Sequence, residues 1–279
     1  MQILKPYYQI ISCFFFALLG LQIKLSLNHI EIENIVFFRS FFGSFILFLL
    51  ILFSKEKITN LLTANNLNIH ILRATFGVSA MYFGYNALNY LSLAQASTIG
   101  FSKVFFTCIF SALIFSERIN LRILFLVFFG LFGIFLITNP DQIHSQTGLY
   151  MSLLSAICVS GGIISISYLS KKEDTRIILF YHSLISTGIF LILFFKKIDF
   201  EISYNLLNYV LLTVTALLGQ YFNTESYKKK ETQKVVLLSY SRIIFSAIFG
   251  YMFFGEQLSK INILGIFVVI ISSFIVQKK

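Results

Sequence analysis

The sequence predicts an all-α integral membrane protein in which ten transmembrane helices form two inverted five-helix repeats. Three observations lead to this prediction. The mean hydropathy is +0.82 and only 12% of the residues are charged, which lies far outside the range of soluble domains. The apolar residues fall into runs near the ~20 residues that a helix needs to cross a hydrocarbon core of ~30 Å. A long segment of the first half also recurs in the second half.

Short polar joints divide the chain into ten apolar runs, which we expect to be the membrane-spanning helices. The first run is too long for the apolar region of a cleavable signal peptide, so we expect it to stay as the first span. In chain order the predicted spans are Tyr8–Leu27, Ile35–Phe53, Ile71–Leu88, Leu93–Phe115, Ile123–Thr138, Leu149–Leu169, Ile177–Phe195, Leu206–Tyr227, Val235–Phe254 and Ile261–Val276.

The internal repeat is clearest around two basic residues that stand 139 positions apart, Lys103 and Arg242. The segment FSKVFFTCIFSALIFSE, which ends at Glu117, aligns without a gap with YSRIIFSAIFGYMFFGE, which ends at Glu256. Unrelated apolar helices would rarely share both a central basic residue and a terminal Glu. The match therefore indicates a duplicated unit.

The duplication predicts two domains, residues 1–139 and residues 149–279, with five spans each. Because five is an odd number, the second domain should enter the membrane from the opposite face, as in carriers with inverted-topology repeats. In the earlier spans of each half the offset becomes 143, and it aligns Arg39 with His182 and Ser12 with Ser155.

The basic residues are unevenly distributed, and the formal net charge is +10. If the N-terminus is cytoplasmic, most Lys and Arg residues, Arg73 among them, fall on the cytoplasmic side. This asymmetry follows the positive-inside rule, so we expect both termini in the cytoplasm and the lipid bilayer as the surroundings of the chain. Nucleic acid is not expected as a partner, because no soluble domain presents a basic face.

Four of the charged residues within the predicted spans should avoid lipid, and three of them belong to the expected substrate site. Facing lipid, they would together cost roughly 10 kcal/mol, so they should face one another or a wet cavity instead. We expect Lys103 and Arg242 to bind an anionic group and Glu225 to bind an amine or a sulfonium. The fourth charged residue is Arg39.

Polar and aromatic side chains on the third and eighth spans complete the predicted site. Tyr82, Tyr85 and Asn86 share one helix face at positions i, i+3 and i+4. Tyr221 stands at the repeat position of Tyr82, and Asn223 follows it. We expect these five residues to provide hydrogen bonds and aromatic walls.

Simpler roles for the same residues remain open. Glu225 and Arg242 could form a buried ion pair without binding a solute. Arg39 could reach the outer interface or pair with Glu31 or Glu33. The tyrosines could belong to ordinary helix packing.

No catalytic, metal or cofactor site is predicted. The sequence contains no acid-rich metal cluster, no paired carboxylates, no nucleophile elbow and no phosphate-binding glycine loop. Cys13, Cys108 and Cys158 are single residues with apolar neighbours, so we expect them to be small buried hydrophobic residues.

Several short motifs resemble one family of membrane carriers. They are Phe38-Arg39-Ser40, His70-Ile71-Leu72-Arg73, Tyr82-Phe83, Phe115-Ser116-Glu117-Arg118-Ile119 and Phe254-Gly255-Glu256-Gln257-Leu258. On these residues the whole chain resembles the EamA-type ten-helix carriers of the drug/metabolite transporter superfamily. The segment from His70 to Arg73 is similar to S-adenosylmethionine uptake carriers within it. The chain departs from the family where a proline usually follows Lys103 and Arg242, since Val104 and Ile243 stand there.

The resemblance implies a secondary carrier of the bacterial cytoplasmic (inner) membrane. With the buried charges, it predicts alternating-access transport of a small polar metabolite, zwitterionic or anionic, such as an amino acid or S-adenosylmethionine. A counter-solute, or a proton carried on Glu225, would couple the transport. A multidrug or organic-cation exporter and a non-transporting membrane assembly partner are the alternatives. The sequence leaves open the solute, the direction of flux, and whether the carrier is a monomer or a homodimer.

Overall fold

A computed structural model describes residues 7–53, 66–118, 121–138, 145–200, 205–228, 231–255 and 259–275. Within these ranges every regular element is a helix, which confirms the predicted all-α class. The α-helices are α1 (Tyr8–Ser26), α2 (Ile32–Leu52), α3 (Leu67–Tyr90), α4 (Leu93–Gly100), α5 (Lys103–Phe115), α6 (Leu121–Thr138), α7 (Gln146–Leu169), α8 (Thr175–Phe194), α9 (Leu206–Tyr227), α10 (Thr232–Leu238), α11 (Arg242–Phe254) and α12 (Lys260–Ile275). Two short 3₁₀ helices, Phe195–Lys197 and Ser239–Ser241, follow α8 and α10.

The surface of the helix assembly suits lipid. Among the described residues, five helical stretches are long and apolar enough to cross a membrane, and three shorter helices are also apolar. Large apolar side chains such as Phe125, Ile192 and Phe267 are more than half exposed, whereas many serines are buried. Helices that pack within a bilayer use small and hydroxyl residues in this way. The five stretches are Tyr8–Ser26, Ile32–Leu52, Gln146–Leu169, Thr175–Lys197 and Thr232–Phe254.

Helices of the two halves pack on each other in matching pairs. Helix α3 packs on α7 as α9 packs on α1, and α5 packs on α7 as α11 packs on α1. Matching hydrogen bonds join the first two pairs. The Ser12 hydroxyl donates to the Gly219 carbonyl and the Ser155 hydroxyl to the Ala80 carbonyl, both at 2.8 Å. Ser12 aligns with Ser155 at the 143-residue offset and Ala80 with Gly219 at the 139-residue offset, so equivalent residues make equivalent contacts.

The fourth and ninth predicted spans each contain a short departure from α-helical geometry, although a 3₁₀ helix keeps the ninth one helical stretch. The fourth is interrupted between α4 and α5, and the ninth between α10 and α11. In each case the helix resumes at the buried cation, Lys103 in α5 and Arg242 in α11.

No proline stands at either interruption, and serine and glycine residues are found there instead. The hydroxyls of Ser102 and Ser241 each donate to a carbonyl three residues earlier, of Ile99 and Leu238, at 2.9 Å. Such bonds compete with the helical backbone pattern and bend helices. Gly100, which disfavours a helix interior, adds to this effect in the first half.

The close approach of α6 to α12 gives a test of the packing. A Cβ atom at Gly133 would lie 2.9 Å from the backbone oxygen of Gly265, whereas a Cβ at Gly188 would meet nothing within 4 Å. Gly133→Ala should therefore lower the free energy of unfolding by about 1–3 kcal/mol, because it overpacks the interface. Gly188→Ala, the matched control, should leave stability unchanged or raise it, because alanine favours a helix. Thermal unfolding in detergent, followed by circular dichroism, measures both, and equal melting temperatures would contradict the packing.

Candidate functional site

A cavity of about 260 Å³ lies between the two halves. Helices α1, α3, α4 and α7 form most of its wall, and α2, α5, α8, α9 and α11 each contribute one or two side chains. None of the described residues that line it is Asp or Glu. Its basic lining residues are Arg39, Arg73, Lys103, His182 and Arg242.

Lys103 and Arg242 meet in this cavity although they are 139 residues apart in the sequence. They lie close enough for their charges to repel. The Lys103 Nζ atom is 5.0 Å from the centre of the Phe101 ring, and the Arg242 guanidinium carbon is 5.8 Å from the centre of the Phe16 ring. Cation–π contacts of this kind only partly replace water around a charge. Neither residue forms an ion pair with any residue that the structure describes.

Arg39 is buried in α2 and also lines the cavity. One of its terminal nitrogens donates to the Tyr85 hydroxyl at 3.2 Å, and the other contacts the Met81 sulfur. Glu33, one of the two carboxylates considered as an alternative partner of Arg39, instead accepts a hydrogen bond from Lys197 at 3.0 Å.

Arg73 and His182 are cavity residues that the sequence reasoning missed. Arg73 was grouped with the cations of the cytoplasmic side, but it is only 3% exposed on α3 and its side chain lines the cavity. The ring of His182 packs directly on Gly77, where any Cβ atom would collide with it. Two signals could have found them: His182 is the repeat partner of Arg39, and Arg73, Gly77, Met81 and Tyr85 share one helix face at four-residue spacing.

The predicted site residues divide into two groups. Tyr85, Asn223, Lys103 and Arg242 line the cavity. Tyr82, Asn86, Tyr221 and Glu225 are not among its lining residues.

The second group makes other contacts. Tyr82 stacks on Phe194, with ring centres 5.3 Å apart, and Asn86 donates to the Tyr82 carbonyl at 2.8 Å. Tyr221 is 41% exposed. Glu225 does not pair with Arg242, because its carboxylate accepts hydrogen bonds from Thr175 and Lys228 and forms an ion pair with Lys228.

A polar cluster fixes the start of α3, one turn before Arg73. The His70 ring lies 2.7 Å from a Glu173 oxygen, and the Asn66 side chain donates to the other Glu173 oxygen at 3.0 Å. The next residue, Asp174, caps α8 by accepting from the Arg176 amide at 2.8 Å. Burial acts to raise the pKa of Asp174, but the hydrogen bonds from Arg176 outweigh it and leave the pKa below its ordinary value. The acids of this turn therefore serve helix ends and not the cavity.

A cavity with basic lining residues, set among apolar helices of membrane length, is typical of membrane transporters. The chain belongs to the EamA-like transporter family, whose sequence profile matches residues 7–139 and 146–277. This result places the chain in the family that its motifs resemble.

Individual relatives agree with this assignment. The chain is 27% identical over 261 residues to a pseudopaline exporter of Pseudomonas aeruginosa, covering 92% of this chain and 89% of the relative. It is 23% identical over 284 residues to solute carrier family 35 member G1 of Mus musculus, covering 96% and 76%. A solved structure, titled only "Crystal structure of protein", superposes with a TM-score of 0.79 over 99% of this chain and 98% of the other at 13% identity, so the two share the fold.

Cys158 offers a test of the cavity's electrostatics, because it lines the cavity whereas Cys13 and Cys108 are only 2% and 4% exposed. A sulfonate-bearing methanethiosulfonate should modify Cys158 faster than the trimethylammonium analogue, by about tenfold after normalisation to a free thiol, because the lining cations concentrate anions. Mass spectrometry of the detergent-solubilised protein measures both rates. Cys158→Ser should abolish labelling, and Lys103→Gln should reduce the preference. Faster reaction of the cationic reagent would contradict a positive cavity.

Proposed function

We propose that this protein is a carrier that moves a small anionic metabolite across the bacterial cytoplasmic membrane. The observation that supports this proposal is the composition of the cavity wall, which includes three arginines, one lysine and no acid among its described residues. A buried positive charge without a partner is costly, and an anionic solute would remove that cost on binding. The same wall repels organic cations, so a multidrug exporter of cations is disfavoured.

The proposed mechanism is alternating access between two inverted halves of five spans each. The matching helix pairs, the matching serine hydrogen bonds and the two helix interruptions at Lys103 and Arg242 support it. Carriers of this kind rock one half against the other around a central site. Because both halves of one chain contribute to the cavity, a monomer would suffice for transport.

Among the predicted solutes, the cavity favours anions over S-adenosylmethionine. The sulfonium of S-adenosylmethionine needs an acidic or aromatic partner, and the acid predicted for that role, Glu225, is held by Lys228. Amino acids with a second carboxylate suit the cavity better than those with a neutral side chain. The names of the relatives do not identify the solute of this chain, which must be determined by experiment.

The charge of the cavity also favours exchange over net transport. An empty carrier would have to reorient with four uncompensated cations in a low-dielectric site, which raises the barrier to the return step. A second anion bound for the return would lower that barrier. A proton on Glu225 is the weaker alternative, because this carboxylate is not among the residues that line the cavity.

Counterflow in liposomes tests the function. Radiolabelled succinate, glutamate, S-adenosylmethionine and tetraphenylphosphonium are presented to purified protein, with or without the same solute inside. We expect an anion to accumulate only against an internal anion. Lys103→Gln and Arg242→Gln should each reduce this uptake by roughly tenfold or more, the value of one charge-assisted hydrogen bond.

Lys196→Gln is the matched control for these two variants, because Lys196 is exposed on the short 3₁₀ helix and should not matter. Size-exclusion chromatography checks that each variant remains folded. The proposal would be rejected if S-adenosylmethionine and tetraphenylphosphonium accumulated while succinate and glutamate did not. Full transport activity of both Lys103→Gln and Arg242→Gln would also reject it.

The proposed topology has its own test. Alkaline phosphatase fused after Ser145 should be active, because five spans precede it and place the fusion outside the cytoplasm. The same enzyme fused to the C-terminus at Lys279 should be inactive, whereas green fluorescent protein should fluoresce there. The opposite pattern at either position would contradict the inverted arrangement.

A further inference from the structure

The cations of the cavity form two groups. The first, here called the α3 cluster, consists of Arg39, Arg73 and His182, and both arginines lie close enough to His182 for their charges to act on it. The second, here called the break pair, consists of Lys103 and Arg242 at the two helix interruptions. Each group combines residues from both halves of the chain.

Tyr85 stands between these two groups. Its hydroxyl accepts a hydrogen bond from Arg39 at 3.2 Å, and the same side chain lies near enough to Arg242 to interact with it electrostatically. The α3 cluster and the break pair are therefore neighbours on the cavity wall, and Tyr85 contacts the first group and lies near the second.

Both groups contain buried hydrogen-bond donors that have no acceptor among the residues that the structure describes. The buried Nε atoms of Arg39, Arg73 and Arg242 have no hydrogen-bond partner among the described residues. Arg73 is the strongest case, because it is 97% buried and forms no hydrogen bond or ion pair with any part of the chain that the structure describes. A guanidinium is suited to a carboxylate, which it binds through two parallel hydrogen bonds.

The division of the cations into two groups then bears on how many anionic groups the solute has. A single carboxylate bound between Lys103 and Arg242 would leave the two arginines of the α3 cluster uncompensated. A single carboxylate bound at the α3 cluster would leave the break pair uncompensated. The wall near Tyr85 is small and apolar, with Gly84 and Leu88 among its residues. This wall suits an aliphatic linker between two anionic ends.

We propose that the solute carries two separate carboxylates, one bound by the α3 cluster and the other by the break pair, with a short aliphatic linker beside Tyr85. This inference rests on the proposed function and specifies the class of its substrate. It assigns Arg73 as the residue that distinguishes a dicarboxylate from a monocarboxylate.

Binding to the purified protein in detergent tests this proposal without transport. Titration calorimetry compares succinate, glutarate and adipate with their monoamides, which keep the length and lose one charge. At least one diacid should bind about tenfold to a hundredfold more tightly than its monoamide, because a second set of charge-assisted hydrogen bonds is formed. Inorganic phosphate, which carries its charges on one group, should bind no better than the monoamides.

Variants then assign the two ends. Arg73→Gln should remove the advantage of the diacid and leave the affinity of its monoamide within about twofold, since that ligand can still use the break pair. Arg73→Lys should keep part of the diacid's tighter binding, because lysine keeps the positive charge but cannot form the two parallel hydrogen bonds of a guanidinium. Lys196→Gln should change nothing. Retained binding of the monoamide shows that each variant is folded.

The outcomes separate this inference from the proposed function. Equal affinities of every diacid and its monoamide in the wild-type protein would overturn the dicarboxylate inference, even if Arg73→Gln could not be purified, and would leave an anion carrier standing. A diacid preference that survives Arg73→Gln would overturn the role of Arg73 and with it the two-position site. Binding of tetraphenylphosphonium without binding of any anion would overturn both proposals.

Discussion

Uncompensated positive charge in the middle of an apolar helix assembly is the constraint on which the rest of the structure depends. The acids near the cavity are committed elsewhere. Glu33 pairs with Lys197, Glu173 with His70 and Glu225 with Lys228. Lys197 and Lys228 neutralise Glu33 and Glu225, whereas Glu173 is hydrogen-bonded to His70 and Asn66. All three acids lie at or near helix ends, where they join segments of the fold. The cavity is therefore left with cations that the described residues do not neutralise, and the proposed anionic solute would neutralise them on binding.

The helix interruptions place this charge where both halves can reach it. Lys103 and Arg242 are each the first residue of a helix of 13 residues, directly after the interruption. The hydroxyls of Ser102 and Ser241 satisfy nearby carbonyls at the interruption, which limits the cost of breaking a helix within the membrane. Few residues at such points need to change their backbone angles for the segments on either side to move. The helix interruption in each half thus positions a basic side chain, and we propose that it also acts as a hinge for the rocking motion.

Much of the fold could be predicted from the sequence, because hydropathy and duplication are properties of the chain itself. The repeat also identified Lys103 and Arg242 and aligned Arg39 with His182, all of which line the cavity. Arg73 was missed because the apolar run begins near it, whereas the helix begins earlier, at Leu67. Glu225 was assigned to the site by its apolar surroundings, but a lysine three residues away neutralises it. The interruptions were missed because no proline marks them in the sequence. Each of these features depends on which groups a side chain contacts in the folded protein, and hydropathy does not encode such contacts.

Arg73 also breaks the symmetry of the proposed carrier. Lys103 corresponds to Arg242 and Arg39 to His182, but the repeat position of Arg73 is Leu212, which is fully buried. In an inverted repeat the two access states exchange the roles of the halves, and a symmetric site would hold its solute equally well in both. A cation present in only one half cannot be equivalent in the two states. The state that keeps Arg73 in contact with the solute is then the tighter-binding one, so the affinities on the two sides of the membrane differ by the contribution of this residue.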